Sequence, residues 1–135
     1  MKTVKIFLFS IVFLVVGTNA DAQNLTEKFN KFWKSYAANP SFQKERTKFP
    51  LSYSYYEESY SEYEDPSLVT EYIPAGEWNY IDFNDTSEYN VEIQQKNSTK
   101  YEVFLSGNEN GIAIEFLFEL YEGKWYLSKV TDYSN

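Results

Sequence analysis

Apolar and polar positions along this chain follow two different periods, and the period changes near residue 51. Upstream of that point, apolar side chains recur every three or four residues, which predicts one buried face of an amphipathic helix. The members of this stripe are Leu25, Phe29, Phe32, Trp33 and Tyr36. Downstream, apolar and polar residues alternate, which predicts half-buried strands. Helices followed by strands favour an α+β domain, with the helices packed on one face of a curved antiparallel sheet.

Local signals predict the ends of two helices. Asn24 is suited to cap the first helix, and Glu27 three residues later completes a capping-box pair. Pro40 ends this helix, because the residue before a proline avoids helical geometry. Ser41 is suited to cap a second, shorter helix that we expect to end near Thr47.

Alternation is clearest in the last third of the chain. Strands are predicted over residues 51–56, 67–73, 88–96, 100–106, 112–120 and 124–130, with a short extended piece over 78–83. The fifth of these strands carries a five-member apolar stripe, namely Ile112, Ile114, Phe116, Phe118 and Leu120. Glu122 and Gly123 predict a tight hairpin turn between the last two strands.

The first 22 residues have the layout of a secretory signal peptide. Lys2 and Lys5 precede an apolar run, and Ala20-Asp21-Ala22 matches the small-residue rule for cleavage. The apolar run, Ile6 to Val16, is about half of the ~20 residues that a membrane-spanning helix needs. We therefore expect cleavage after Ala22, a single domain over residues 23–135, and export to the periplasm or beyond. The chain has no cysteine that could carry a lipid, so we expect a soluble protein without a lipid anchor.

Charge and composition exclude several classes of function. With 12 Lys and Arg against 20 Asp and Glu, the net charge is −8, which disfavours binding to nucleic acids and to anionic lipid surfaces. The sequence contains neither histidine nor cysteine. Nucleophilic triads and zinc sites with nitrogen or sulfur ligands are therefore excluded. We expect no cofactor and no metal.

Two stretches of the chain resemble a known kind of domain. The first combines Phe29, Phe32 and Trp33 with a segment Phe-Gln-x-x-Arg-x-x-Phe-Pro-Leu over residues 42–51, and the second is the terminal hairpin over residues 116–127. Together they resemble an uncharacterised family of secreted Bacteroidetes proteins in the nuclear-transport-factor-two-like superfamily. The resemblance implies a cone-shaped α+β fold with a cavity between helix and sheet. It implies no activity, since this superfamily includes enzymes, binding modules and assembly domains.

The leading functional hypothesis is a non-enzymatic domain that binds a small molecule, a glycan or a protein in an aromatic-lined cavity. Aromatic residues make up 20% of the chain, more than a minimal core needs. The candidates for lining the cavity are Trp33, Tyr36, Tyr53, Tyr55 and Trp78. Arg46, the single arginine, is expected to hold a carboxylate, with a ligand-clamping role as the alternative.

Two further interpretations of the function stay open. A carboxylate-dependent glycan hydrolase would need two acids at a defined separation, and Glu115 and Glu119 lie on one strand face where each could meet a partner. A homodimeric assembly domain would use the exposed face of the sheet.

Residues 53–63 contain five tyrosines among acids and serines, which fits either a stacking platform or a strand followed by a loop. Residues 82–88 lack the spacing of a calcium loop and favour an Asx-rich turn.

Overall fold

The computed structural model describes residues 26–58, 61–85 and 87–135. The elements in these residues are α1 (Phe29–Ala38), α2 (Pro40–Glu45), β1 (Thr47–Glu57), β2 (Ser67–Ile73), a 3₁₀ turn (Ala75–Glu77), β3 (Tyr89–Asn97), β4 (Lys100–Gly107), β5 (Ala113–Tyr121) and β6 (Lys124–Asp132). None of the described helices is long and apolar enough to cross a membrane. The predicted signal segment, residues 1–22, lies outside the described residues.

The six strands form one curved sheet in the order β2-β1-β6-β5-β4-β3. β1 pairs antiparallel with β2, and β3, β4, β5 and β6 pair antiparallel in succession. The joint between the two halves is different, since β1 lies parallel to β6. This parallel pair brings the first strand of the chain beside the last one and completes the α+β architecture predicted above.

The core lies between α1 and the central strands. The apolar stripe of α1 buries Phe29, Phe32 and Tyr36 against the sheet, and Phe118 of β5 stands beneath them without exposure to solvent. The ring of Phe118 meets those of Phe29, Phe32, Trp33 and Tyr36 at centroid distances of 5.0 to 5.7 Å, mostly edge to face. Such pairs add stabilisation beyond their buried area.

A bulge in β6 changes which side chains face the core. Phe118 pairs with Leu127 and Leu117 pairs with Lys129, which leaves Ser128 as an extra residue. Simple alternation from Leu127 would turn Lys129 inward. The bulge instead places Val130 in the core, where its exposure is 3%, and Lys129 on the solvent side.

The helix starts differ from the sequence prediction. Thr26 to Lys28 are not helical, so α1 begins at Phe29, and Asn24 lies outside the described residues. Glu27, which was predicted to form a capping box with Asn24, uses its Oε1 to accept hydrogen bonds from the Arg46 guanidinium and from the Trp125 backbone N–H. A buried cation thus outcompetes the local cap.

The start of α2 and the segment after β2 also differ from the prediction. The cap of α2 is Asn39, whose Oδ1 accepts a hydrogen bond from the Phe42 N–H, and Pro40 takes the first helical position, where its missing N–H costs nothing. Residues 78–83, predicted to be extended, form no strand. Their backbone is held by a side chain of α2, as described below. On β3, Ile93 is 42% exposed although it pairs with the buried Val103, because β3 is an edge strand of the sheet.

Candidate functional site

A cavity of about 270 Å³ opens on the face of the sheet that carries α1. It lies between strands β1, β5 and β6 and the segment that follows β2. Its lining residues are Tyr53, Ile73, Glu77, Trp78, Asn79, Ile81, Ile114, Phe116 and Val130. The lining is mostly apolar with a few polar groups, which is the usual composition of a small-molecule site. The volume is near the low end of the ~300–1,000 Å³ typical of such sites, so it suits a compact ligand.

Strand register builds the floor of this cavity. Val130 pairs with Tyr53 on one side and with Phe116 on the other, so these three side chains share a face across β1, β6 and β5. The bulge at Ser128 is required for Val130 to face the cavity, because without the bulge Lys129 would point to this side of the sheet instead.

The opposite wall is held by one buried amide. Gln43 of α2 has no solvent exposure, and its Nε2 donates to the carbonyl oxygen of Ile81 at 2.9 Å. Its Oε1 accepts from the N–H of Ile81, also at 2.9 Å, so the side chain pairs with Ile81 as a neighbouring strand would. Nε2 also donates to the Tyr36 carbonyl at 3.1 Å. Tyr80 adds a second tie, because its hydroxyl donates to the Ala37 carbonyl at 2.8 Å.

Trp78, one of the lining residues, carries an unsatisfied hydrogen-bond donor. Its ring packs edge to face on Phe49, with centroids 6.0 Å apart. Its indole Nε1 is shielded from solvent and has no hydrogen-bond partner among the described residues. Buried N–H groups almost always have a partner, and leaving one unpaired costs about 1–3 kcal/mol.

The rim of the cavity carries a tyrosine–carboxylate pair. The Tyr53 hydroxyl donates to Asp132 Oδ2 at 2.6 Å. Burial, the hydrogen bond to Asp132 and the nearby negative charges raise the pKa of Tyr53, so it stays protonated. Burial works to raise the pKa of Asp132, but hydrogen bonds from Ser134 and Tyr53 outweigh it and leave the pKa below its ordinary value. Asp132 is therefore an anion at neutral pH.

The structure separates the predicted site residues into two groups. Tyr53 and Trp78 line the cavity together. Tyr55 lies farther along β1, where its hydroxyl donates to Glu71 Oε1 at 3.1 Å. Trp33 and Tyr36 belong to the core beneath α1, and neither is among the lining residues. The Tyr36 hydroxyl shares a hydrogen bond with Thr47 Oγ1, and burial raises its pKa.

Arg46 lies at the junction of α2 and β1, away from the cavity. Its Nη1 is 2.7 Å from Glu27 Oε1 and also donates to the Trp125 carbonyl at 3.3 Å. The guanidinium stands 4.8 Å from the centre of the Phe42 ring. The carboxylate that the sequence argument assigned to Arg46 is thus Glu27, which ties the chain before α1 to the hairpin of β5 and β6. A contact between Arg46 and a ligand stays a prediction.

The acidic residues singled out in the sequence lie on the outer face of the sheet. Glu115 borders a shallow groove of about 170 Å³ lined by Glu92, Gln94, Glu102 and Phe104. Burial raises the pKa of Glu115, as do its hydrogen bond with Glu102 and the charge of that residue, while Lys96 and Tyr133 oppose the shift. Glu102 and Glu115 line this groove on the face of the sheet opposite the cavity, so they do not provide the pair of acids inside the cavity that a glycan hydrolase would need. Glu119 instead accepts a hydrogen bond from Ser128 Oγ at 2.9 Å.

Residues 82–88 form Asx turns where they are described. Asp82 Oδ1 accepts from the Asn84 N–H, and Asp85 Oδ1 accepts from both the N–H and the hydroxyl of Ser87. These bonds occupy oxygens that a cation would need. No group of three or more acidic side chains in the described parts of the chain is arranged to hold a metal ion.

Sequence reasoning missed most of the cavity wall. Ile114 and Phe116 belonged to a recognised apolar stripe, so the inward direction of their side chains was foreseeable. Val130 was not, because the bulge that turns it inward leaves no local signal. Ile81, Asn79 and Gln43 lacked any periodic pattern, since a side chain rather than a strand neighbour holds this segment.

Comparison with solved structures identifies the fold. A crystal structure of an NTF2-like protein from Bacteroides fragilis matches 82% of this chain at 20% identity with a TM-score of 0.59. A crystal structure of a cystatin-like protein from Bacteroides caccae matches 81% of this chain and 76% of its own length, at 20% identity and a TM-score of 0.56. An NMR structure of a protein from Bacteroides uniformis matches 80% of this chain and 76% of its own length, at 22% identity and a TM-score of 0.50.

Likeness at such low identity shows the fold alone. The chain therefore has the nuclear-transport-factor-two-like fold that the resemblance in its sequence implied. It spans 48% of the length of the Bacteroides fragilis protein. No family model matches the chain, and no curated protein matches it.

Proposed function

We propose that this domain binds a compact, largely apolar small molecule in the cavity between β1, β5, β6 and the segment after β2, without transforming it chemically. The observation that carries this proposal is an apolar hollow of about 270 Å³ lined in part by Trp78, whose indole N–H lacks a partner among the described residues. A ligand that fills the hollow and accepts this hydrogen bond replaces two unfavourable features of the free protein.

The chemistry of the cavity favours binding over catalysis. Among the described lining residues, Glu77 is the one ionisable acid, and the whole chain contains neither histidine nor cysteine. The paired carboxyl groups of Glu102 and Glu115 lie on the other face of the sheet, so they do not reach a ligand in the cavity. Self-association through that outer face stays a prediction.

Replacement of Trp78 by phenylalanine tests the site. With 4-ethylphenol as the probe, we expect saturable binding that Trp78→Phe weakens about threefold to tenfold, since a net hydrogen bond contributes about 0.5–1.5 kcal/mol. Titration by ¹H–¹⁵N NMR measures the affinity, and the Trp78 indole resonance should move because its N–H gains an acceptor. The assignment of that resonance follows from its absence in the variant.

Trp33→Phe is the matched control, because Trp33 packs in the core outside the cavity. It should leave the affinity for 4-ethylphenol unchanged. The proposal is overturned if the probe leaves the Trp78 resonance unmoved at saturating concentration, or if both variants lose affinity equally.

We also propose that residues 1–22 direct the protein out of the cytoplasm and are then removed. The basic start, the apolar run and Ala20-Asp21-Ala22 support this proposal. After expression of the full chain in a bacterium, mass spectrometry of the periplasmic and secreted fractions should find a chain that begins at Gln23. Recovery of the protein only from the cytoplasm, with residues 1–22 intact, would contradict it.

A further inference from the structure

Three carboxylates lie in the lining of the cavity or beside its lining residues. Glu77 is one of the lining residues. Asp132 is the next position after Val130 on the same face of β6, and it pairs in register with the lining residue Ile114. Glu71 precedes Ile73 on the same face of β2 and lies directly opposite Tyr53. Strand pairing thus places two carboxylates beside lining residues, in addition to the one in the wall.

No cation in the described structure neutralises this group. The ion pairs of the described residues join Arg46 to Glu27 and Lys96 to Glu102, and neither includes Asp132, Glu71 or Glu77. The lining contains no lysine and no arginine. These carboxylates therefore have no ion-pair partner among the described residues, and a charged ligand in the cavity would interact with their negative charge.

Asp132 is the least exposed of the three carboxylates. It is half-buried, its Oδ2 accepts from the Tyr53 hydroxyl, and its Oδ1 accepts from the Ser134 N–H at 2.8 Å. These neutral donors hold the carboxylate in position without cancelling its charge. Tyr53 is itself a lining residue, so the negative charge of Asp132 is hydrogen-bonded directly to the cavity lining.

We infer that the cavity selects compact aromatic amines that carry a hydrogen-bond-accepting oxygen, and that it rejects the corresponding carboxylic acids. This inference rests on the proposed function. The apolar lining accommodates the ring, the three carboxylates attract the ammonium group, and the oxygen pairs with the indole N–H of Trp78.

Three phenols of similar size test this selectivity. Tyramine, 4-ethylphenol and 4-hydroxyphenylacetate share the ring and its hydroxyl but end in a cationic, a neutral and an anionic group at pH 7. In low-salt buffer, we expect tyramine to bind at least tenfold more tightly than 4-hydroxyphenylacetate, with 4-ethylphenol between them. Added salt should narrow this ratio, because mobile ions screen the charges of the three carboxylates. Calorimetric titration measures all three affinities.

Asp132→Asn assigns the effect to a residue. The amide still accepts the hydrogen bond from Tyr53 but removes the charge, so tyramine should lose affinity severalfold while 4-ethylphenol is unaffected. Glu92→Gln is the control, because it makes the same change in net charge on the outer face of the sheet.

The outcomes separate this inference from the proposed function. If none of the three phenols binds, small-molecule binding at this site is overturned and the selectivity with it. If all bind equally, or the acid binds best, the charge selectivity is overturned while the binding function stands. If tyramine is preferred but Asp132→Asn and Glu92→Gln weaken it equally, the selectivity comes from net charge and the role assigned to the carboxylates beside the cavity is wrong.

Discussion

Phe118→Ala should lower the free energy of unfolding by about 3–5 kcal/mol, the range for large-to-small substitutions of buried aromatic residues. Phe118 has no exposed surface and meets four rings of α1, so truncation leaves a cavity where helix and sheet join. A domain of this size has a total stability of about 5–15 kcal/mol, so the variant is expected to keep only part of it or to unfold. Equilibrium unfolding in urea measures the difference.

Ile93→Ala is the control for this loss. It also removes a large apolar side chain from a strand, but Ile93 is 42% exposed at the edge of the sheet. We expect its effect to be below about 1 kcal/mol, because little apolar surface returns to water. Similar losses for the two variants would show that α1 does not cover β5 as described.

Gln43→Leu should be the second most damaging substitution, lowering the free energy of unfolding by about 2–4 kcal/mol. Leucine fills a similar volume, so the loss comes from hydrogen bonds rather than from a void. The change leaves the Tyr36 carbonyl and both backbone groups of Ile81 without their partner. Chemical denaturation measures the loss, and amide hydrogen exchange at Ile81 should rise more than exchange in the central strands.

Gln94→Leu makes the same chemical change at an exposed position on β3 and should be close to neutral. The structure also predicts a functional consequence for Gln43→Leu, since Ile81 and Asn79 belong to the cavity wall. Affinity for 4-ethylphenol should therefore fall in this variant at temperatures where it stays folded. Unchanged exchange at Ile81 together with unchanged stability would show that Gln43 does not anchor this wall.

The parts of the fold that the sequence predicted well depend on local periodicity. The stripe over residues 112–120 became β5, and the turn at Glu122 and Gly123 became the hairpin to β6. The helical stripe buried Phe29, Phe32 and Tyr36 as its spacing indicated. In each case, one element presents one face to one core, so the period of the apolar residues determines both the element and its orientation.

Prediction failed where a residue's partner is distant in sequence. Glu27 matched a capping box, yet its carboxylate pairs with Arg46 and the Trp125 backbone, and α1 starts later than the cap at Asn24 predicted. Residues 78–83 were predicted to be a short extended piece, but no local pattern indicated that Gln43 would hold this piece at Ile81. A local motif offers one modest hydrogen bond, and a buried ion pair or amide can outweigh it.

In the candidate site, too, the sequence predicted some features and missed those that depend on distant contacts. Composition indicated an aromatic-lined cavity, and two of the named residues, Tyr53 and Trp78, do line one. Trp33 and Tyr36 are also aromatic, but they pack against Phe118 in the core and do not line the cavity. Residue type alone cannot distinguish an aromatic side chain that fills a core from one that borders a hollow.

By itself, the sequence determined the order of helices and strands, the faces they bury, and the absence of histidine and cysteine chemistry. These properties follow from the spacing and identity of neighbouring residues. Only the tertiary structure decided that β1 lies parallel to β6, that a bulge turns Val130 inward, and that Asp132 meets the lining residue Tyr53. Each of these depends on contacts between residues far apart in the chain, and their free energies become available only when the whole domain has assembled.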